Sequence, residues 1–279
     1  MIQGKIETIE TFGAVDGPGI RFVIFLHGCN MRCKYCHNPE TWCKNEYKTF
    51  TSEELIKKAL RYKAYWKNDG GITVSGGEPL LQLDFLIELF TLAKKYNINT
   101  CIDTAGEPFN ESEDFLTKLN KLLNLTDLFI VDIKEMNNEK HKWLTLKSNE
   151  SILKFIKYLD SHNKKMWIRH VLVPMLTDSE SDLLLLKNFV NSLNNVTKFE
   201  ILPYHTLGIM KYKELGIPYS LMDIKEPSSE ELLRAKKILG IEKSNWWTVA
   251  FLIWIININY FCSTNDDGSL TFSTLTSSP

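Results

Sequence analysis

The sequence lacks a surplus of charge of either sign. It carries 33 Lys and Arg residues against 34 Asp and Glu residues, for a formal net charge of −1. Proteins that bind nucleic acids through the phosphates concentrate basic residues, so this balance argues against nucleic acid and against an anionic membrane surface as partners. The 44% hydrophobic and 24% charged residues are typical of an ordinary globular chain of 279 residues.

A secretory leader and a long hydrophobic run are also missing. Residues 1–12 are polar and acidic, whereas a leader has basic residues followed by an apolar stretch. Residues 246–262 are mostly apolar, but they include Asn257 and Asn259 and fall short of the roughly 20 residues that span a bilayer. We therefore predict a cytoplasmic protein, with an organelle as the alternative. We expect a monomer, because no pattern points to a self-association surface.

Short β-branched runs alternate with amphipathic stretches six times along the chain. This order predicts parallel strands with right-handed crossovers, and six units are too few for a closed (β/α)8 barrel. The predicted fold class is α/β, a partial (β/α)6 TIM-type barrel of parallel strands, with a doubly wound sheet as the alternative. Thr51 and Glu54 form a capping-box pattern at the first helix. The predicted strands are residues 21–26, 72–75, 100–103, 128–132, 167–173 and 199–203, and the helices are 51–65, 84–96, 114–123, 151–161, 180–191 and 228–239.

Three of the six cysteines form one compact motif. Cys29, Cys33 and Cys36 have the spacing C-x3-C-x2-C directly after the first predicted strand. Three thiolates on one loop can bind three corners of a 4Fe-4S cluster and leave the fourth iron open, whereas electron-transfer clusters take four cysteines. Zinc is the alternative, with Cys43 or His37 as fourth ligand, but this spacing fits the usual ligand pairs of zinc poorly. We predict one 4Fe-4S cluster per chain.

This cysteine motif resembles the signature of the radical S-adenosylmethionine (SAM) superfamily, in which SAM fills the vacant iron. Further segments resemble the pyruvate formate-lyase activating enzyme family, a group of glycyl radical enzyme activases. The stretch between Cys43 and Gly70 lacks the cysteine-rich, ferredoxin-like insert that other such activases often carry, which favours this branch. The matching segments lie between about residues 4 and 239 and read VDGPGIRF, YCHN, SGGE, DIK, WIR and LPYH.

The resemblance implies that SAM binds at the carboxyl ends of the strands, where ligands of parallel α/β folds lie. It assigns the segment 75–78 to the amino group of SAM, Lys134 to its carboxylate and His205 to its adenosine part. Glycines in the segment 75–78 let the backbone approach a ligand. The residues predicted to bind SAM are Tyr35, His37, Asn38, Gly76, Gly77, Glu78, Asp103, Asp132, Ile133, Lys134 and His205.

The same resemblance implies two further groups of site residues. Asp103, Thr104 and Asp132 are predicted to hold a monovalent cation near SAM. Asp16, in an Asp-Gly-Pro-Gly turn, and Arg169 are predicted to contact the substrate peptide. A strand arginine that pairs with a core carboxylate is the alternative interpretation of Arg169.

The function that the resemblance implies is an oxidoreductase of the glycyl radical activase type. A flavodoxin or ferredoxin would reduce the cluster, SAM would be cleaved reductively, and a hydrogen would be abstracted from a glycine of pyruvate formate-lyase. Two alternatives stay open. One is an activase of a different glycyl radical enzyme, or a radical SAM enzyme that acts on a small molecule, and the other is a non-catalytic metal-binding protein.

The alternating pattern ends near residue 243. We predict a radical SAM domain over residues 1–243 and an atypical tail over residues 244–279, which is apolar at first and then rich in Ser and Thr. We interpret the tail as a non-native terminus from a reading-frame error. A terminal element packed on the barrel and a membrane span are the alternatives.

Overall fold

The computed structural model describes residues 2–42 and 47–241, together with the backbone of two short strands near the C-terminus. The helices are α1 (Ser52–Leu60), α2 (Leu83–Lys95), α3 (Glu113–Leu125), α4 (Asn138–Thr145), α5 (Glu150–Ser161), α6 (Glu180–Asn191), α7 (Ile209–Glu214) and α8 (Ser229–Leu239). The strands are β1 (Gln3–Gly13), β2 (Arg21–Leu26), β3 (Lys48–Thr51), β4 (Gly71–Gly76), β5 (Asn99–Thr104), β6 (Leu128–Asp132), β7 (Met166–Leu172), β8 (Val196–Pro203), β9 (Cys262–Thr264) and β10 (Leu270–Phe272).

The first eight strands form one sheet in the order β3-β1-β2-β4-β5-β6-β7-β8. From β2 onward each strand pairs in parallel with the next, so every crossover adds a strand at the same edge. A doubly wound sheet would reverse this order at one point. Within the described strands no ladder joins β8 back to β1, β2 or β3, so the barrel is open. The predicted partial (β/α)6 barrel is confirmed.

The helices present one apolar stripe each to the sheet. In α5 the buried residues recur at a spacing of three and four, the pattern of an amphipathic helix with one face in the core. α1 starts with the predicted capping box, in which the Glu54 carboxylate accepts from the Thr51 N–H at 2.8 Å. The buried positions of α5 are Ile152, Phe155, Ile156 and Leu159.

Within residues 2–241, two strands and two α-helices were not predicted from the sequence, and one predicted helix is too long. β1 and β3 extend the sheet antiparallel to β2, and α4 and α7 are short helices. The helix predicted over residues 51–65 ends at Leu60, and a separate 3-10 turn covers Lys63–Tyr65. This break lets the Tyr62 ring pack 5.8 Å from that of Phe22, while Trp66 is buried behind it.

The chain divides into two units, residues 1–241 and 242–279. In the second unit the structure describes only β9 and β10, which pair antiparallel. The three interpretations of the tail fall on residues outside the described part of the chain, as does Cys43. In the portion that the structure describes, no helix has the length and hydropathy required to cross a bilayer.

Candidate active site

The three motif cysteines lie on the loop that follows β2 and line one central cavity of about 310 Å³. Cys33 is buried, and Cys29 and Cys36 are partly exposed. The loop turns tightly, because the Cys36 N–H donates to the Cys33 carbonyl at 3.0 Å. The Asn38 N–H points at the Cys36 Sγ at 3.4 Å. A single short loop therefore presents three thiols to one space.

The environment of these thiols fits a cationic cluster. Burial raises the pKa of Cys29 to about 12 and also raises the pKa of Cys33 and Cys36, so the thiolates need a positive partner to form. Cys101, the remaining cysteine whose side chain is described, packs in β5 against Leu128 and cannot be a fourth ligand.

α4 holds the cysteine loop from its outer side. The Arg32 N–H donates to the Thr145 carbonyl at 2.8 Å, and the Lys34 N–H donates to the Leu144 carbonyl at 3.0 Å. α4 ends there because Leu146 adopts a left-handed conformation with φ of 61°. The two residues on either side of Cys33 are thus paired with the end of a helix.

Two glycines bring the end of β4 against the same loop. The Gly77 N–H donates to the Leu26 carbonyl at 2.9 Å, and the Glu78 N–H donates to the Gly28 carbonyl at 2.8 Å. A Cβ on Gly77 would lie 2.1 Å from the Gly28 oxygen, and one on Gly76 would lie 2.3 Å from the Leu26 nitrogen. Both glycines line the cavity. They are required because the end of β4 lies against Leu26 at the end of β2 and against Gly28 at the start of the cysteine loop.

The Glu78 side chain turns away from the cavity. Its carboxylate accepts from the Leu80 and Ala105 N–H groups, each at 3.0 Å, and from the Thr104 hydroxyl. Burial raises its pKa to about 7. Glu78 therefore ties the ends of β4 and β5 together, and only its backbone lies near the site.

Two carboxylates and an ammonium group meet at the ends of β5 and β6. Lys134 donates to the Asp132 carboxylate at 3.1 Å, and Ser75 donates to Asp103 at 3.2 Å. Burial and the charge of Asp132 raise the pKa of Asp103. Burial alone would lower the pKa of Lys134, but Asp132 and Tyr35 raise it well above its usual value. Two partly buried carboxylates that repel each other are a suitable environment for a cation.

The Asp-Gly-Pro-Gly turn closes the amino-terminal end of the barrel, and we call residues 15–19 the floor. Three of its carbonyls accept hydrogen bonds from barrel side chains. Thr73 donates to the Asp16 carbonyl at 2.6 Å, Arg21 to the Pro18 carbonyl at 3.5 Å, and Arg169 to the Val15 carbonyl. Burial and the nearby Glu10 raise the pKa of the Asp16 carboxyl to about 6.

Arg169 links the floor to the strand ends. Its Nε donates to Glu200 at 3.0 Å, and its Nη1 lies 3.5 Å from the Asp103 carboxylate. These pairs agree with the alternative interpretation, a strand arginine paired with carboxylates. Arg169 also lines the cavity, and its contact with a substrate peptide stays a prediction. No sequence motif marks Glu200 as the partner of Arg169 or Thr73 as the donor to the Asp16 carbonyl.

Two histidines form a flat surface on another wall of the cavity. The rings of His37 and His205 stack with centroids 3.9 Å apart and an interplanar angle of 26°. Burial and the neighbouring His205 lower the pKa of His37 to about 3, so this ring is neutral at pH 7. The His205 Nδ1 atom and the Tyr35 hydroxyl are buried without a hydrogen-bond partner among the described residues.

The structure gathers most of the predicted site residues around one cavity. Glu78 and Ile133 are the exceptions, because neither side chain lines it. Ile133 is 1% exposed, and its backbone N–H donates to the Arg169 carbonyl at 2.9 Å. Sequence reasoning missed Phe25 and Met31, apolar lining residues that no motif marks. The predicted residues that line the cavity are Asp16, Cys29, Cys33, Tyr35, Cys36, His37, Asn38, Gly76, Gly77, Asp103, Thr104, Asp132, Lys134, Arg169 and His205.

The chain is similar to known proteins in sequence and in fold. The profile of the radical SAM superfamily matches residues 23–186. The pyruvate formate-lyase-activating enzyme of Streptococcus mutans is 51% identical over 86% of this chain and 92% of its own length. That of Listeria monocytogenes is 47% identical over 85% and 96%. A structure of Streptococcus suis SuiB with its precursor peptide SuiA shares the fold, with a TM-score of 0.58 at 16% identity over 83% of this chain and 46% of that one.

The coverage of these relatives is nearly complete in both directions, and the superfamily match spans the strands that carry the cysteines and the acidic residues. Membership of this superfamily implies a 4Fe-4S cluster and SAM as cofactors, in agreement with the three thiols on one cavity wall. The chain belongs to the radical SAM superfamily and, within it, to the family of pyruvate formate-lyase-activating enzymes.

Proposed function

We propose that this chain is an enzyme that cleaves SAM reductively and removes a hydrogen atom from a glycine of pyruvate formate-lyase. The observation that carries the proposal is one cavity lined both by three thiols of a single loop and by the floor residue Asp16. Relatives named for this activity are 45–51% identical to the chain. The resulting product is a pyruvate formate-lyase that carries a glycyl radical.

Each wall of the cavity has a separate task. Cys29, Cys33 and Cys36 would hold a 4Fe-4S cluster, which supplies the electron that splits SAM into methionine and a carbon radical able to abstract the glycine hydrogen. Lys134 offers an ammonium group to the SAM carboxylate. The stacked ring of His205 offers a flat surface and an unpartnered nitrogen to the adenosine part.

The remaining residues fit a cation and a peptide. Asp103, Thr104 and Asp132 would bind a monovalent cation, which relieves the repulsion between the two carboxylates. Asp16 and Arg169 lie on the cavity side of the floor, where a peptide backbone offers N–H and carbonyl groups to them. The open barrel leaves a side through which a glycine-bearing loop of another protein can enter, and that loop must move to reach the cavity.

The electron comes from outside the chain, because the cluster is the one redox group that the proposal places among the described residues. We propose a flavodoxin or a ferredoxin as donor, and the cytoplasm as the compartment in which donor and substrate protein meet the enzyme.

The experiment that tests the proposal is electron paramagnetic resonance of the anaerobically reconstituted protein, mixed with reductant, SAM and pyruvate formate-lyase. We expect a glycyl radical signal that disappears in the Cys33→Ala variant. A reduced-cluster signal that SAM alters, without any glycyl signal, would contradict the substrate assignment. Absence of any iron–sulfur signal from folded, reconstituted protein would contradict the cluster assignment itself.

A further inference from the structure

The cysteine loop separates two pockets. On its outer side lies a second pocket of about 160 Å³, lined by residues of the loop, α4 and α7. Cys33 lines this outer pocket and also the central cavity. Of the three motif cysteines, only Cys33 lines both. Cys33 is therefore a boundary residue shared by the outer pocket and the cluster site.

The loop residues on either side of Cys33 bring two cations to the outer pocket. The Arg32 guanidinium lies 5.2 Å from the Trp42 ring centroid, and the Lys34 ammonium lies 4.3 Å from that of Trp143. In the described part of the chain, neither cation forms an ion pair, and no Asp or Glu lines the pocket. The Arg32 guanidinium donates to the Cys29 and Met31 carbonyls, each at 2.7 Å, but no carboxylate of the described residues pairs with it or with Lys34. Two such positive charges attract a partner that is acidic at its point of contact.

Apolar side chains are exposed beside these cations. Trp143 is 53% exposed and Leu146 is 67% exposed, although both are large and apolar. An exposed tryptophan next to unpaired basic residues is typical of a protein interaction surface. We call Arg32, Lys34, Trp42, Trp143 and Leu146 the donor face.

We propose that the donor face is the docking surface of an acidic flavodoxin that reduces the cluster through Cys33. The proposal rests on the proposed function and names the surface that its electron donor uses. A flavin exposes a flat, apolar ring edge, and a rim of carboxylates around that edge would complement the tryptophan and the two cations. In the transfer itself the anionic, fully reduced flavin loses one electron and the cluster gains it, and no atom or proton moves.

The test measures binding and reduction separately. Isothermal titration calorimetry gives the Kd of an acidic flavodoxin for the reconstituted protein and for Lys34→Glu and Trp143→Ala. The matched controls are Lys121→Glu on α3 and Tyr96→Ala, an exposed aromatic residue. We expect about a tenfold increase in Kd for Lys34→Glu at low salt and about a tenfold increase for Trp143→Ala, with less than about a twofold change in both controls.

Dithionite is a small reductant that needs no docking surface. It therefore distinguishes failure of the docking proposal from failure of the proposed function. With dithionite, Trp143→Ala and both controls should cleave SAM at the rate of the unaltered protein. The rate of flavodoxin-driven cleavage divided by the rate of dithionite-driven cleavage should fall only in the two donor-face variants. If the unaltered protein does not cleave SAM with dithionite, the proposed function fails. The docking proposal is overturned if flavodoxin does not bind, if both donor-face variants keep the original Kd, or if they weaken binding of pyruvate formate-lyase or ferredoxin instead.

Discussion

The two ends of the barrel differ in whether their buried polar groups have hydrogen-bond partners. At the floor the carbonyls of Val15, Asp16 and Pro18 accept hydrogen bonds, and Arg21, which is 0% exposed, donates to several carbonyl and side-chain oxygens. At the cysteine end, by contrast, Tyr35 and His205 have buried polar atoms without partners. No described side chain of the floor or of Arg21 is left in that state.

This contrast distinguishes residues that stabilise the fold from residues that bind ligands. A buried polar group with all its partners fixes the backbone around it, and removing it leaves those partners unsatisfied. A buried polar group without a partner lowers stability and is expected where a ligand completes the set. The floor should therefore respond to mutation in its unfolding free energy, and the cysteine end in its affinity for cofactors.

Gly77→Ala should have the largest effect and tests the cysteine end of the barrel most directly. The added methyl group would lie 2.1 Å from the Gly28 oxygen, so the cysteine loop must shift. We expect loss of most of the iron and at least about a 100-fold loss of activity, measured by metal analysis and SAM cleavage. Gly216→Ala is the control, because its methyl group meets no atom within 4 Å and the substitution adds only about 1 kcal/mol of backbone strain at its φ of 66°. Full iron content in Gly77→Ala would show that the loop tolerates the shift.

Arg21→Met tests the floor. The variant removes the donor to the carbonyls of Pro18, Asp69 and Ile72, of which the Ile72 carbonyl is buried and loses this partner away from water. We expect the free energy of unfolding of the cluster-free protein to fall by about 4 kcal/mol in urea denaturation. In Arg234→Met, whose side chain is 55% exposed, the fall should be below about 1 kcal/mol. Equal effects of the two substitutions would contradict the role of Arg21.

The pH dependence of the unfolding free energy gives a second test of the role of the floor in stability. Burial raises the pKa of Asp16 from 3.8 to about 6. Between about pH 4 and pH 6 the folded state keeps a proton that the unfolded state has lost, so the unfolding free energy falls as the pH rises. The fall from this group is at most about 3 kcal/mol. We expect Asp16→Asn to flatten this part of the curve for the cluster-free protein. An unchanged slope would assign the titration to another group.

Lys134→Met should have the smallest of these effects and should appear in cofactor affinity. Loss of one charge-assisted hydrogen bond to the SAM carboxylate predicts about a 30-fold increase in the Kd of SAM, equivalent to about 2 kcal/mol. The iron content should stay unchanged, and calorimetry on the reconstituted protein measures both binding and stoichiometry. Lys142→Met, at an exposed position paired with Glu139, serves as the control. A Kd equal to that of the unaltered protein would remove Lys134 from the SAM site.

The parallel core could be predicted from the sequence because buried parallel strands appear as short apolar runs. Strands β2 and β6 have the predicted bounds, and the other four differ by one to three residues at their ends. The position of site residues at strand ends follows from the same topology. Side-chain direction does not, and Glu78 shows why, since a residue in a ligand-binding segment can turn its carboxylate into the core.

The missed elements lack an apolar period. The buried face of α4 includes His141 and Thr145, polar residues that a search for hydrophobic periodicity counts as exposed. Because α4 also holds the cysteine loop, the sequence pattern indicated neither the helix nor its role. β1 extends the sheet at its outer side and is partly exposed along much of its length, so its pattern was too polar to indicate a strand.

The pairing between the cysteine loop and α4 has a consequence for how the protein matures. Arg32 and Lys34 bond to Thr145 and Leu144, which follow them by about two fifths of the chain. During synthesis the N-terminal part leaves the ribosome first, so the loop emerges long before the helix that shapes it. Iron–sulfur insertion into the final geometry must therefore be late, after translation has passed α4, and nascent chains shorter than this should not retain the cluster.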